Sequence, residues 1–170
     1  LEGTVLPAFD PQLSGGALYD INIYNLNLII GLFGAPNSLI YQARKGFNGI
    51  DTSGVVLMSY PEFQALAIGA KDSGSPSTCL IQGEKGWLKI ETAPNQLEKI
   101  TCQIRGEDNL QEYALNQYPH RLSHEFAAFA AMLANRDFAG RDLYLDISLQ
   151  VAEVAEKARK QAGISFSADK

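Results

Sequence analysis

The sequence is poor in several residue types at once. Its 170 residues include two cysteines, two histidines, two methionines and one tryptophan. Two thiols, Cys79 and Cys102, are too few for a disulfide-stapled secreted scaffold, and a chain of this length can bury a core without staples. They fit a reduced, cytoplasmic protein, with both thiols in strand-like segments where packing accounts for them. The two histidines, His120 and His124, stand four apart with Glu125 beside the second. That spacing can bind zinc, but a third ligand and the H-E-x-x-H order are both lacking. No metal site is expected, and the pair reads as solvent-facing residues at a helix start. Basic residues are also scarce: 14 Lys and Arg against 19 Asp and Glu, with no Lys/Arg cluster. A nucleic-acid partner would call for a basic face, so that class is excluded. The longest run without a charge follows Asp20 and reaches Gln42, but asparagines, Gly31, Gly34 and Pro36 break it, so it is not a membrane span. Neither a G-x-G-x-x-G fingerprint nor a phosphate loop occurs, and there are no repeats.

What remains is an ordinary globular composition, 46% hydrophobic and 19% charged, read as a single domain over 1–170. The opening "LEGTVLPAFDP" has no initiator methionine, and the chain is expected to be a fragment of a longer protein.

A first helix is predicted from Gly16, with Ser14 as its candidate N-cap, to Gly34, with Pro36 beyond the stop. Strand-like runs follow at 37–47, 51–60, 63–71, 78–83, 87–92, 99–105 and 110–116, joined by short connections that favour antiparallel pairing. Helices are predicted at 120–136, with Leu122, Phe126, Phe129 and Leu133 on one stripe, and at 142–163, stopped by Gly163. The fold class is therefore α+β: a largely antiparallel sheet with helices packed on one face. Some strands are apolar on both sides of the pleat. Phe63, Ala65 and Ala67 alternate with Leu66 and Ile68, so the second face calls for cover from a partner chain or another domain. A homodimer through that open face is expected.

The first helix, "SGGALYDINIYNLNLIIGLFG", contains three asparagines and an aspartate, which are poor helix formers. Advancing about 100° per residue from Leu18 places Leu18, Ile21, Ile29, Leu32 and Phe33 on a core face. Asp20, Tyr24, Asn27 and Gly31 then share the opposite side, at spacings of four, three and four. Ordinary solvated faces carry Lys, Glu and Arg; this stripe has short or rigid groups suited to directed hydrogen bonds. Asn22 and Asn25 lie toward the apolar side, and their expected role is structural, bonding to neighbouring backbone.

The stretch "SGGALYDINIYNLNLIIGLFGAP" resembles the C-terminal-domain signature of the Gfo/Idh/MocA oxidoreductases, which include glucose–fructose oxidoreductase, inositol dehydrogenases and dihydrodiol dehydrogenases. Their pattern is a Gly-Gly-x-Leu-x-Asp-x-Gly-x-His/Tyr helix closed by Leu/Phe-Gly-x-Pro. Gly15, Gly16, Leu18, Asp20, Tyr24 and the Gly34–Pro36 ending match it. "IQGEKGWLKIE" (81–91) looks like the family's Gly-x-x-Gly hairpin, and the closing helix with "AGISF" (162–166) fits more weakly. Asn22 replaces the family's glycine, which questions how closely the backbone approaches its neighbour there. Tyr24 stands where many members have histidine; the Asp-x-x-x-Tyr version resembles the glucose–fructose oxidoreductase and dihydrodiol dehydrogenase branch.

The resemblance implies the substrate-binding domain of an NAD(P)-dependent oxidoreductase acting on a sugar, polyol or related alcohol. It implies that NAD or NADP is bound mainly by an N-terminal Rossmann domain, and that this chain alone is inactive. It assigns Tyr24 to proton transfer or positioning of the reacting oxygen, Asp20 to orienting the site or binding a substrate hydroxyl, and Asn27 to a further substrate contact. The alternative is a non-catalytic ligand-sensing or dimerisation module on the same fold.

Overall fold

A computed structural model describes residues 6–114 and 116–169. Residues 1–5, Leu115 in the seventh strand-like run, and Lys170 lie outside the described residues. The chain divides into two compact units, 1–74 with 143–170 and 75–142.

The first unit opens with two short 3-10 turns, Pro7–Phe9 and Pro11–Leu13, each started by a proline whose missing N–H costs nothing at a helix start. A π-helical turn over Leu18–Asn22 runs into helix α1, Ile23–Phe33. Gly34, with φ 76°, ends it by donating its N–H to the Ile30 carbonyl at 2.8 Å. Strands β1 (Ser38–Lys45), β2 (Asp51–Ser59) and β3 (Gln64–Ala70) form an antiparallel sheet in that order. Ile40 faces Leu57, which faces Leu66, and Val55 faces Ile68.

Alternation along these strands sends Leu39, Tyr41, Val56, Met58 and Ala67 to one face, where all are buried. They meet Leu18, Leu26 and Ile30 from the first helix, and Val151, Val154, Ala155 and Ala158 from the last. Each large aliphatic side chain buried there contributes about 1.5–3 kcal/mol. The expected α+β arrangement, antiparallel strands with helices on one face, is present in this unit. The other face carries Ile40, Leu66 and Ile68, which are 52%, 61% and 62% exposed.

The helix core differs from the sequence expectation. The buried positions are Leu18, Asn22, Leu26 and Ile30, while Ile21, Leu32 and Phe33 are exposed. The cause is the π turn: a wider first turn rotates each residue by less than the α-helical angle, so phase counted from Leu18 is wrong thereafter. Phe33 instead packs at the helix end against Tyr60 and Phe63, and the Tyr60 hydroxyl donates to the Gly34 carbonyl at 2.8 Å.

The second unit contains β4 (Cys79–Gly83), β5 (Gly86–Ile90), β6 (Ile100–Ile104) and β7 (Gln111–Tyr113), paired antiparallel in sequence order. Gly86, with φ 149°, sits so close to the Gln103 carbonyl that no side chain could be added there. Cys79 and Cys102 are free and half-buried, and burial pushes the Cys79 thiol pKa up. Helix α2 (Arg121–Asn135) has no buried residue, and its stripe of Leu122, Phe126, Phe129 and Leu133 is exposed. Helix α3 (Phe138–Gln161) starts in this unit and continues into the first from residue 143. Its start is earlier than predicted because Asp137 accepts the Gly140 N–H at 2.9 Å, an N-cap unnoticed in the sequence. It ends at Gln161, two residues before the predicted bound, and Gly163 just beyond it, with φ 65°, is the stop expected of that glycine.

Candidate functional site

The start of the first helix is assembled from outside the helix. Ser14 takes a left-handed conformation, φ 56°, and does not cap it. The cap is Asp51, at the start of β2, which is 1% exposed. Its carboxylate accepts the Leu18 N–H at 2.6 Å and the Tyr41 hydroxyl at 2.7 Å. A carboxylate against a helix N-terminus is favourably placed. Burial, and then the bond to Asp51, push the Tyr41 pKa far above that of a free phenol.

The double glycine has a steric origin. A Cβ on Gly15 would stand 2.7 Å from the Asp10 nitrogen and 2.8 Å from the Ala8 carbonyl, while one on Gly16 would collide with the Asp51 carboxylate. Without those side chains the turn folds back, and Gly15 and Gly16 donate to the Asp10 and Ala8 carbonyls at 2.9 Å each.

The asparagines divide into two groups. Asn22 donates to the Ala67 carbonyl at 3.0 Å, and Asn25 to the Ile68 carbonyl at 2.9 Å and to Asn22 Oδ1 at 2.7 Å. These amides join the helix to β3, the structural role expected of them. Asn27 lies on the exposed side and donates back to the Ile23 carbonyl, one turn earlier, at 2.8 Å.

Asp20, Tyr24, Asn27 and Gly31 are all exposed, forming one solvent-facing line along the π turn and α1. Tyr24 is 45% exposed, and its hydroxyl has no hydrogen-bond partner among the described residues. Asp20 lies within the π turn, and such insertions are frequent at functional sites. Its Oδ2 is 2.6 Å from the ammonium of Lys71, just past β3. Lys71 was not visible as a site residue in the sequence: a lone lysine beside a "DSGSPS" loop looks like surface charge, and 51 residues separate it from Asp20. The structure brings Asp20, Tyr24 and Lys71 to one unit, on elements pinned by buried hydrogen bonds.

His120 and His124 serve the start of α2. His120 Nδ1 accepts the Leu122 N–H and His124 Nε2 accepts the Tyr118 N–H, both at 3.3 Å. An open groove of about 620 Å³, around Trp87, Gln82 and Gln103, belongs to the second unit and includes none of the stripe residues. No helix among the described residues is long and apolar enough to cross a membrane.

Residues 7–89, which hold the whole stripe and Lys71, match the GFO/IDH/MocA C-terminal domain. The chain is 33% identical, over 98% of its length, to scyllo-inositol 2-dehydrogenase (NADP(+)) IolU of Bacillus subtilis, and covers 50% of that protein. It is 27% identical to trans-1,2-dihydrobenzene-1,2-diol dehydrogenase of Oryctolagus cuniculus, over 98% of this chain and 53% of the relative. The chain thus spans about half the length of the curated relatives it matches. Among solved structures, KijD10, a 3-ketoreductase from Actinomadura kijaniata in complex with NADP and TDP-benzene, superposes with a TM-score of 0.69. That match is 18% identical and covers 92% of this chain and 49% of KijD10, so it bears on the fold alone. The glycine-paired helix with Asp20 and Tyr24 lies inside the 7–89 stretch that matches the C-terminal domain of the Gfo/Idh/MocA oxidoreductase family, and the match to IolU extends the similarity over the rest of the chain.

Proposed function

We propose that this chain is the substrate-binding part of an NAD(P)-dependent oxidoreductase acting by hydride transfer on a sugar, polyol or related alcohol. One observation carries the reading: Tyr24 presents an unpartnered phenol to solvent, on the same line as Asp20, while Asn22 and Asn25 are committed to holding that helix in place. Polyhydroxylated substrates suit such a line, since each hydroxyl wants a directed partner. The names of the inositol and dihydrodiol dehydrogenase relatives point the same way.

The described residues do not fit the cofactor's pyrophosphate. The start of the first helix, where an anion could dock, is filled by the Asp51 carboxylate. The nicotinamide is therefore assigned to a domain outside this chain, and the chain alone is expected to be inactive.

Within this division Tyr24 Oη handles the proton of the reacting hydroxyl. A phenol is a weak base at neutral pH, so it needs a nearby cation. Lys71 is paired with Asp20, which leaves that cation to the rest of the protein. Asp20 and Asn27 hold the neighbouring hydroxyls. The test is Tyr24→Phe in the full-length protein. Turnover should fall about 10²–10⁴-fold, the usual worth of a general acid or base. Stability should stay within about 0.5 kcal/mol, as for an exposed position, with cofactor binding unchanged. Activity within about threefold of wild type, well short of the acid/base range, would reduce Tyr24 to a surface residue.

A further inference from the structure

We propose that Lys71 is a positioning residue that acts through Asp20, an inference resting on the functional reading above. Lysine ammonium groups are rarely buried without a reason, yet the Lys71 side chain is only 8% exposed. Its Nζ is held on three sides. It donates to the Ala8 carbonyl at 2.8 Å, lies 4.2 Å from the centre of the Phe9 ring, and donates to Asp20 Oδ2 at 2.6 Å. Its own backbone is fixed as well, since the Lys71 N–H donates to the Thr52 carbonyl at 2.8 Å. The next residue, Asp72, accepts the Thr52 hydroxyl at 2.7 Å and stands 3.7 Å from Arg44.

The ammonium is thus a fixed point, whereas Asp20 is exposed on a helix face. An exposed carboxylate free to change rotamer would lose conformational entropy on gripping a hydroxyl. With Oδ2 anchored on Lys71, that loss occurs during folding instead, and Oδ1, which has no partner among the described residues, is left to accept from substrate. Lys71 itself touches no substrate in this scheme.

A role confined to stability is the competing account, because Lys71 also fastens the Ala8–Phe9 turn. A double-variant cycle on the full-length protein separates the two, assayed by NADPH formation with a panel of sugars and polyols that includes scyllo-inositol. Lys71→Met should lower kcat/KM by about tenfold or more, mainly through KM, as expected when a binding group loses its orientation. Asp20→Asn should do the same. The double variant should then be no worse than Asp20→Asn alone, because Lys71 has nothing left to position. Lys71→Gln retains a donor for the Ala8 carbonyl, and it replaces Lys71→Met in the cycle if that variant does not fold. Penalties that multiply in the double variant, or an unchanged kcat/KM in a folded Lys71 variant, would overturn the proposal while leaving the Tyr24 reading intact. A full-length protein that oxidises no member of the panel would overturn the functional reading, and this proposal with it.

Discussion

Asn22 lies directly over Gly69: a Cβ on that glycine would stand 2.8 Å from the Asn22 Cβ and 3.3 Å from its Cα. The helix can therefore rest on β3 although Asn22 occupies the helical position where the family pattern has glycine. The space comes from the strand side of the contact. Because the opposing atoms are the root of a side chain and the backbone, neither can swing away. Gly69→Ala is expected to destabilise the protein by about 1–3 kcal/mol, the usual cost of overpacking. Combined with Asn22→Gly, its cost should be markedly smaller than alone, since the colliding Cβ is gone. Denaturant unfolding of the single and double variants measures this, and strict additivity would show that the two residues do not compete for space.

The sequence revealed this helix better than it revealed what holds the helix. The element order and every strand run were legible because apolar alternation and turn residues are local signals. So were the roles of Asn22 and Asn25, since a buried amide must find a backbone partner. The phase of the core face was not legible: nothing in "LYDIN" announces a π turn, yet it moves burial from Ile21 to Asn22. Lys71 and Asp51 were missed because each acts across a tertiary contact. The Asp51 contact to Leu18 spans 33 residues and the Lys71 contact to Asp20 spans 51, and single charged residues at strand ends carry no pattern. The apolar stripe of α2 was legible as a stripe, but periodicity alone does not say what it packs against.

Behind the π turn, the end of the chain is clasped by charge. Arg159, buried in α3, makes a two-pronged contact with Asp169, 2.6 Å on each prong, and lies over the Phe166 ring. Phe166 in turn meets the edge of Tyr19 in the π turn. The Arg159 bonds, and then the Phe166 N–H, hold the Asp169 carboxyl down to about 2. A carboxylate lowered in the folded state stabilises fully above its unfolded value, about 3.9, and that contribution is lost as pH falls from there through about 2. Asp169→Asn should therefore be less stable than wild type at neutral pH, with the difference closing across this acid window. Thermal unfolding between pH 7 and pH 2 checks it. Curves that stay parallel would mean that the pair contributes nothing to folding.

The outer face of the first sheet bears on assembly. Ile40 on β1 and Leu66 and Ile68 on β3 point away from the helices, with Val55 and Leu57 half-buried between them, so the face is apolar across all three strands. Monomeric proteins rarely leave contiguous apolar surface of this kind in water. A sheet face is also self-complementary under a two-fold axis, the commonest symmetry of soluble oligomers. We expect two copies to pair through it, burying more than about 1,000 Å² in total. Light scattering on the full-length protein at micromolar concentration should give a dimer. Leu66→Glu with Ile68→Lys should convert it to a monomer, because charges buried without partners at an interface centre are costly. The core face of the same strands is untouched by these changes, so the circular dichroism spectrum should be retained. A wild-type monomer would refute the pairing, and a dimer indifferent to both substitutions would place the interface elsewhere.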